Sequence, residues 1–370
     1  MAAGSVILLA IAAAAGVYQL MALVACLTFR RGQAPGARGQ APEARGQGPA
    51  VSILKPVHGV DAALREAIQS HTVLEGEYEL LCGVREGDPA AEVIAGFPRA
   101  RLVSCTTVTP NRKVGSLIDL TRAARYPILV VNDADIRVEP DYLARVTEPL
   151  SDPGVGLVTC MFRPEGDTLA ARFEALGVAT DLVPSMIVAR AIGVKDFASG
   201  ATMAFRRSDL ERIGGFEAIA DYLADDYQLG HRIHGLGLKC VLSDAIVATH
   251  LGGGWGEVWR HQVRWARTVR VSKFWGYVGL PLAFASVWAV ALIAAGHWGW
   301  ALLLLAVRMA MATAAGWGVL RSPDVLRMWV LIPLRDLFTG AAWAAGLFGR
   351  TVLWRGQRLP IDREGRIRPD

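Results

Sequence analysis

Apolar positions follow two patterns along this chain. At both ends they form long, nearly unbroken runs; in the middle they come in short runs separated by stretches of mixed polarity. The first long run, Ser5–Phe29, carries no charge and is followed at once by Arg30 and Arg31. It is long enough to cross a hydrocarbon core of about 30 Å. The arginines put its C-terminal end on the cytoplasmic side. No basic stretch precedes it, so residues 1–31 read as an uncleaved span rather than a leader. Gly276–Gly296 and Trp298–Gly318 read as two further spans joined by a tight turn at His297. Val325–Phe348 is also apolar but carries Arg335 and Asp336 in its middle. A full crossing there would put Arg350, Arg355, Arg358, Arg363, Arg366 and Arg368 outside, against the positive-inside rule. The expectation is therefore a segment that dips in and returns, or lies at the interface, with Arg335 and Asp336 paired. The C-terminal membrane region is 276–349, and 350–370 is a basic cytoplasmic tail.

Between these regions the pattern changes twice. Residues 32–50 repeat Ala-Arg-Gly-Gln among Gly and Pro, which buries no core and predicts a flexible linker. From residue 51 to 254, short runs such as Val51–Leu54, Tyr78–Cys82, Arg101–Ser104 and Ile128–Val131 alternate with helical stretches such as Ala62–His71 and Lys113–Ala124. That alternation predicts an α/β domain with a parallel sheet and crossover helices. Residues 255–275 form an amphipathic interfacial helix. Arg260, Arg264, Arg267, Arg270 and Lys273 make a basic stripe, and Trp255, Trp259, Trp265 and Trp275 suit the bilayer boundary.

Composition agrees with this division. The 370 residues are 52% hydrophobic, too apolar for an ordinary soluble domain, yet 20% are charged, too many for a pure membrane bundle. The net charge of +5 comes with arginines clustered beside apolar runs, which points to a membrane surface and not to nucleic acid. Cys26, Cys82, Cys105, Cys160 and Cys240 are scattered without zinc or redox spacing and read as reduced, buried thiols.

The chemistry lies in carboxylates. The strand Ile128–Val131 runs into Asn132, Asp133, Ala134 and Asp135. Strand residues two apart share a face, so Asp133 and Asp135 are expected to approach one Mg²⁺ or Mn²⁺, at the strand end where α/β sheets bind ligands. A solvated strand-end turn is the plainer alternative. Asp225 and Asp226 are adjacent; Asp226 suits a general base, and Asp225, a candidate for binding substrate, would raise its pKa, although acids at a helix start also merely complement the dipole. Asp88, in a Gly-Asp-Pro turn, is a candidate for holding a nucleotide, and Lys113 for meeting a phosphate. His261, Arg264 and Trp265 are candidates for binding a diphosphate and an acceptor beside the bilayer. No serine or cysteine has a triad context.

Taken in order, Val51-Ser-Ile-Leu-Lys-Pro-Val-His-Gly-Val-Asp61, Asp88-Pro89, Asn111-Arg-Lys113, Asp133-Ala-Asp135, Gly200-Ala-Thr-Met203 and Asp225-Asp226-Tyr227 resemble the ceramide glucosyltransferases. The resemblance covers roughly Val51 to Lys273 and extends weakly to Trp354–Leu359. It implies an inverting, membrane-bound, family-two-like enzyme with a nucleotide-diphospho-sugar transferase domain of GT-A type between N- and C-terminal transmembrane helices. In the family pattern Asp88, Asp133 and Asp226 match three successive acids, the third the presumed base, while Arg264 and Trp265 match an Arg-Trp motif. His261 departs from that motif's Gln or Arg, and Asp135 is an acid beyond the eukaryotic pattern. The run His261–Thr268 resembles bacterial relatives that glycosylate hopanoids. The resemblance thus implies a bacterial inner-membrane protein with a cytoplasmic catalytic domain. It would use a divalent cation to transfer a hexose, glucose foremost, from a UDP-sugar to ceramide. Transfer of N-acetylglucosamine to a hopanoid such as bacteriohopanetetrol is the alternative. A polysaccharide synthase and a non-catalytic membrane scaffold are more distant rivals. The topology has a direct test: a single cysteine placed in the tail should resist an impermeant thiol reagent in intact cells, and labelling there would overturn it.

Overall fold

The computed structural model describes residues 3–32, 48–354 and 357–368. The expected linker falls almost wholly outside these residues, as does Arg355 of the tail. The chain divides into two compact units. Among the described residues, one comprises 48–162, 193–250 and 365–368, and the other 3–32, 163–192 and 251–364. The continuous stretch expected at 51–254 is therefore interrupted: 163–192 folds with the apolar helices, and the last residues of the tail fold with the α/β unit.

The α/β unit is organised by a seven-stranded sheet. Its strands are β1 Val51–Pro56, β2 Tyr78–Val84, β3 Ala100–Ser104, β4 Ile128–Val131, β5 Val155–Gly166, β6 Met203–Arg206 and β7 Lys239–Leu251. They lie in the order β3-β2-β1-β4-β6-β5-β7. The first four are parallel, as the alternation predicts. β6 runs antiparallel to both β4 and β5, so the sheet is mixed and not purely parallel. Period-two alternation puts Val51, Ile53, Ile128 and Val130 in the core on one face, and Leu54, Leu129 and Val131 in the core on the other. A sheet covered on both faces is why β1 and β4 read as unbroken apolar runs. The chain order reverses at β1, which has β2 on one side and β4 on the other, and ligands bind at such a switch point, beyond the C-terminal strand ends.

The second unit holds the apolar helices. Ala3–Phe29 and Trp298–Val319 are long and apolar enough to cross a membrane. The expected span at 276–296 is not straight: Phe274–Ala283 and Ala285–Ala294 meet at 56°, with Pro281 in the 3₁₀ turn before the bend. The segment 325–348 breaks into short pieces, ending in the helix Ile332–Gly346. Those 15 residues rise only about 22 Å, less than a hydrocarbon core.

Arg335 and Asp336 are both buried there, but they do not pair with each other as expected. Neighbouring helix residues point about 100° apart, so each finds its own partners. Asp336 accepts from Arg308 in the helix Trp298–Thr313, at 2.6 Å, and from the Ser286 hydroxyl, also at 2.6 Å. Arg308, with no exposed surface, also reaches Asp181 at 2.5 Å and donates to the Thr180 carbonyl at 2.9 Å. Both lie in a widened π turn, Val178–Leu182, a form that recurs at functional sites. Arg335 instead donates to the Phe173 carbonyl and to Gln262, and lies over the rings of Phe173 and Phe338. Any side chain at Gly177 would overlap its guanidinium.

A buried charge is costly once its partner is removed. Arg308→Leu is therefore expected to destabilise the detergent-solubilised protein by about 3–5 kcal/mol, read as a large drop in Tm. Removing Asp336 together with Arg308 should recover part of that loss. A double variant whose loss equals the sum of the two single losses would show that the pair carries no coupling.

Candidate functional site

The acids of the α/β unit are gathered by one asparagine. Asn111 caps the helix Arg112–Ala123, its Oδ1 accepting from the Lys113 and Val114 amides. Its Nδ2 donates to the Tyr222 carbonyl at 2.8 Å, and its own amide donates to the Ala220 carbonyl at 3.0 Å. Asn111 therefore brings Lys113 to the segment that opens the helix Asp225–Gly235. The same segment is braced by the tail: the Ile367 amide donates to the Asp221 carbonyl at 2.6 Å and the Leu223 amide to the Gly365 carbonyl at 3.0 Å. No local pattern in the chain signals that brace.

Lys113 stands among three carboxylates. Its Nζ lies 2.8 Å from Asp133 Oδ1 and 3.1 Å from Asp225 Oδ2. Burial works against the amine's charge, but Asp133 and Asp225 outweigh it and hold Lys113 firmly protonated. The buried Asp225 Oδ2 faces the amine without a well-aligned hydrogen bond, so charge alone holds it there. Asp226 accepts from the Gly200 amide at 3.0 Å and from the Tyr227 amide at 2.7 Å. Burial, and then Asp225 beside it, push the Asp226 carboxyl up to about 6. Gly200 closes the cluster: a methyl group on it would lie 3.4 Å from Asp133 Oδ2, 3.4 Å from Asp226 Oδ2 and 3.5 Å from Lys113 Nζ.

The expected common face for Asp133 and Asp135 does not exist. The strand ends at Val131, and Asp133–Ile136 is a turn closed by the Ile136 amide on the Asp133 carbonyl at 3.2 Å, so strand alternation no longer applies. Asp133 turns to Lys113 and keeps 41% of its side chain exposed. Asp135 turns to the Thr249 hydroxyl and the His250 amide; burial, then Asp133, raise its pKa. Lys55 fixes the turn, its Nζ donating to the carbonyls of Asp133 at 2.8 Å and Ile136 at 3.2 Å. Fully buried, it is pushed down to about 8. Its only sequence signal is a lysine inside an apolar strand.

Among the described residues no group of three or more His, Cys, Asp or Glu is arranged to hold a metal. A closed cage of protein ligands is thus not built. The partly exposed Asp133 carboxylate still fits a hard cation that shares its ligands with a bound diphosphate, as Mg²⁺ commonly does.

Asp88 stands apart from this cluster in its bonding. Only 5% exposed, its carboxylate accepts from the Gly59 and Ala90 amides and meets His58 Nδ1 at 3.1 Å. It ties the loop after β1 to the loop after β2.

His261, Arg264 and Trp265 belong to the other unit, on the helix Trp255–Ser272. His261 Nδ1 lies 2.6 Å from Glu174, and its ring packs 4.3 Å from that of Trp265. The basic stripe is partly committed: Arg267 and Arg270 donate to the carbonyls of Leu347, Phe348, Gly349 and Thr351, closing the C-terminal end of the helix Ile332–Gly346.

Residues 6–367 match glycosyl transferase family 21. The chain belongs to this family. Two curated relatives from Caenorhabditis elegans, ceramide glucosyltransferase 1 and ceramide glucosyltransferase 3, are each 30% identical over 204 and 206 residues. Each match covers 52% of this chain and 44% of the relative, so the chain spans under half the length of these relatives. Among solved structures, a mannosyltransferase from Pyrobaculum calidifontis in complex with GDP-Man and Mn²⁺ is similar, with a TM-score of 0.51 at 21% identity. That likeness covers 92% of this chain and 99% of the other, and it shows the GT-A-like fold.

The cluster makes a prediction of its own. Gly200→Ala adds a methyl group at ordinary contact distance, which the fold tolerates, in the space ringed by Asp133, Asp226 and Lys113. Its Tm should stay within a few degrees of wild type while turnover falls at least ten-fold. Unchanged turnover would show that nothing reacts in that space.

Proposed function

We propose that this family 21 protein is an inverting glycosyltransferase that moves a hexose, glucose foremost, from a UDP-sugar to the hydroxyl of a membrane lipid of the ceramide kind. The observation that carries the reading is the Lys113 cluster. It sets a carboxylate with a raised pKa, Asp226, beside an exposed acid, Asp133, around the open α-carbon of Gly200. The glucosyl donor and the ceramide acceptor are supported by the names of the curated relatives. The bilayer is supported by two helices apolar enough to cross it.

In this reading Asp226 takes the proton of the acceptor hydroxyl. The freed oxygen attacks the anomeric carbon from the face opposite the diphosphate, a new C–O bond forms, and the old one breaks to release UDP. Lys113 holds Asp133 and Asp225 in place by charge while Asp226 works. Asp133 would hold a divalent cation that neutralises charge on the leaving diphosphate, and Asp135, bonded to Thr249 and the His250 amide, would fix the turn that carries it. Asp88 shapes the nucleotide pocket by fixing the His58–Gly59 loop. Arg264 offsets diphosphate charge and Trp265 lines the acceptor's place; what supports these two roles is the motif itself. Transfer of N-acetylglucosamine to a hopanoid is the second reading, favoured by the run His261–Thr268.

Membranes carrying the protein should transfer label from UDP-glucose or UDP-N-acetylglucosamine to ceramide or bacteriohopanetetrol, and the productive pair names donor and acceptor. Asp226→Asn should lower turnover about 10²–10⁴-fold. Because the base works ionised and its carboxyl sits at about 6, kcat/KM should fall as pH drops through that value. Stripping divalent cations with a chelator should stop transfer, and Mn²⁺ or Mg²⁺ should restore it. Full glycolipid synthesis by Asp226→Asn would refute the base.

A further inference from the structure

The polar residues buried in the membrane unit form a chain that ends on His261. Arg335 donates to Gln262 Oε1 at 2.8 Å, and Gln262 Nε2 donates to Glu174 Oε1 at 2.9 Å. The same Glu174 oxygen lies 2.6 Å from His261 Nδ1. Glu174 is nearly sealed, its side chain 3% exposed, whereas His261 keeps 26%. An ionised carboxylate only accepts, so Nδ1 carries the proton, and in the neutral ring Nε2 is the nitrogen left to accept. Trp265 packs against the ring and Glu174 fixes its direction, the arrangement by which a carboxylate sets the tautomer of a working histidine. Nothing in the Asp226 mechanism uses this pair.

We propose that Glu174 and His261 form a recognition dyad for the polar head of the lipid acceptor, with His261 Nε2 accepting a hydrogen bond from a hydroxyl or amide N–H of that head. The dyad rests on the glycosyltransferase reading and adds to it a residue that selects the acceptor. The ligand class follows from the chemistry. A nitrogen lone pair suits an O–H or N–H donor and not a phosphate oxygen, and the helix belongs to the unit that holds the candidate membrane spans. His261 touches the lipid. Glu174 is a positioning residue, and Gln262 and Arg335 hold it in turn.

The test uses the full chain in detergent, without donor, and a short-chain N-acyl amino-diol lipid as probe. His261→Phe removes the acceptor nitrogen and also takes one partner from the buried Glu174, which keeps Gln262, so its Tm is measured beside binding and both proteins are compared at a temperature where each is folded. Its Kd for the lipid should rise about ten-fold or more, while UDP binding stays within two-fold. Nitrogen-15 histidine spectra, with the His261 signal assigned by difference against His261→Phe, should show the Nδ1–H form in wild type. Glu174→Gln should change that form, because an amide can donate to Nδ1, and should weaken binding of the lipid's amide N–H most. Methylating the lipid's donor groups should cost the wild type the same factor and cost His261→Phe nothing further. The dyad is overturned if lipid binding survives His261→Phe, if UDP binding falls instead, or if wild type binds no such lipid. Sugar transfer is scored separately: a wild type that binds the lipid through His261 but transfers no sugar would sink the glycosyltransferase reading and leave the dyad standing.

Discussion

The α/β unit depends on one amine. Lys113 sits among Asp133, Asp225 and Asp226, and without its charge three carboxylates would share a largely dehydrated space. Like charges so close cannot all ionise, so the cluster must divide its protons unequally. The geometry decides how. Asp133 and Asp225 meet the amine directly, whereas Asp226 meets only backbone amides. Burial, and then Asp225 beside it, raise the Asp226 carboxyl, which is the property the proposed base needs for near-neutral work. The same reasoning explains Asn111: a helix cap that also binds the chain at Ala220 and Tyr222 is what lets residues over a hundred positions apart share one charge.

The unit that holds the apolar helices solves the opposite problem. Arg308 and Arg335 are fully enclosed, and such charges persist only where every donor is used. Arg308 spends its donors on Asp336, Asp181 and a π-turn carbonyl; Arg335 spends its own on a carbonyl, Thr339 and Gln262. Because the partners lie on different helices, the pattern fixes helix rotation, which apolar packing alone specifies weakly. Gly177 shows the tolerance: the guanidinium of Arg335 lies where a Cβ would be.

How much of this was legible follows from the range of each signal. The parallel strands β1 to β4 and the helices between them were readable, because period-two and period-3.6 patterns are local. The apolar helices were readable by length, although Pro281 bends one of them. The identities of Asp133, Asp225, Asp226 and Lys113 were visible as motifs, but their grouping around Gly200 depends on contacts that no local pattern encodes. Asp133 and Asp135 show the limit most clearly. The alternation rule was sound, yet the strand stopped two residues before it could apply, and a turn sent the carboxylates to different partners. Glu174 was invisible for the same reason: an acid in a helix reads as solvated until the fold places it beneath His261.

That placement also changes how the His-x-x-Arg-Trp helix should be understood. Its basic stripe suggested a surface that meets anions along its whole length. In the folded unit Arg267 and Arg270 are consumed in closing another helix, which leaves the proposed face to the turn around His261, Arg264 and Trp265. Such a face is more selective than a stripe. A diffuse positive surface attracts any anion, whereas a single imidazole held by a buried carboxylate tells a hydrogen-bond donor from an acceptor. Under the proposed function such selectivity would matter, because a bilayer would offer an excess of wrong lipids at the same surface.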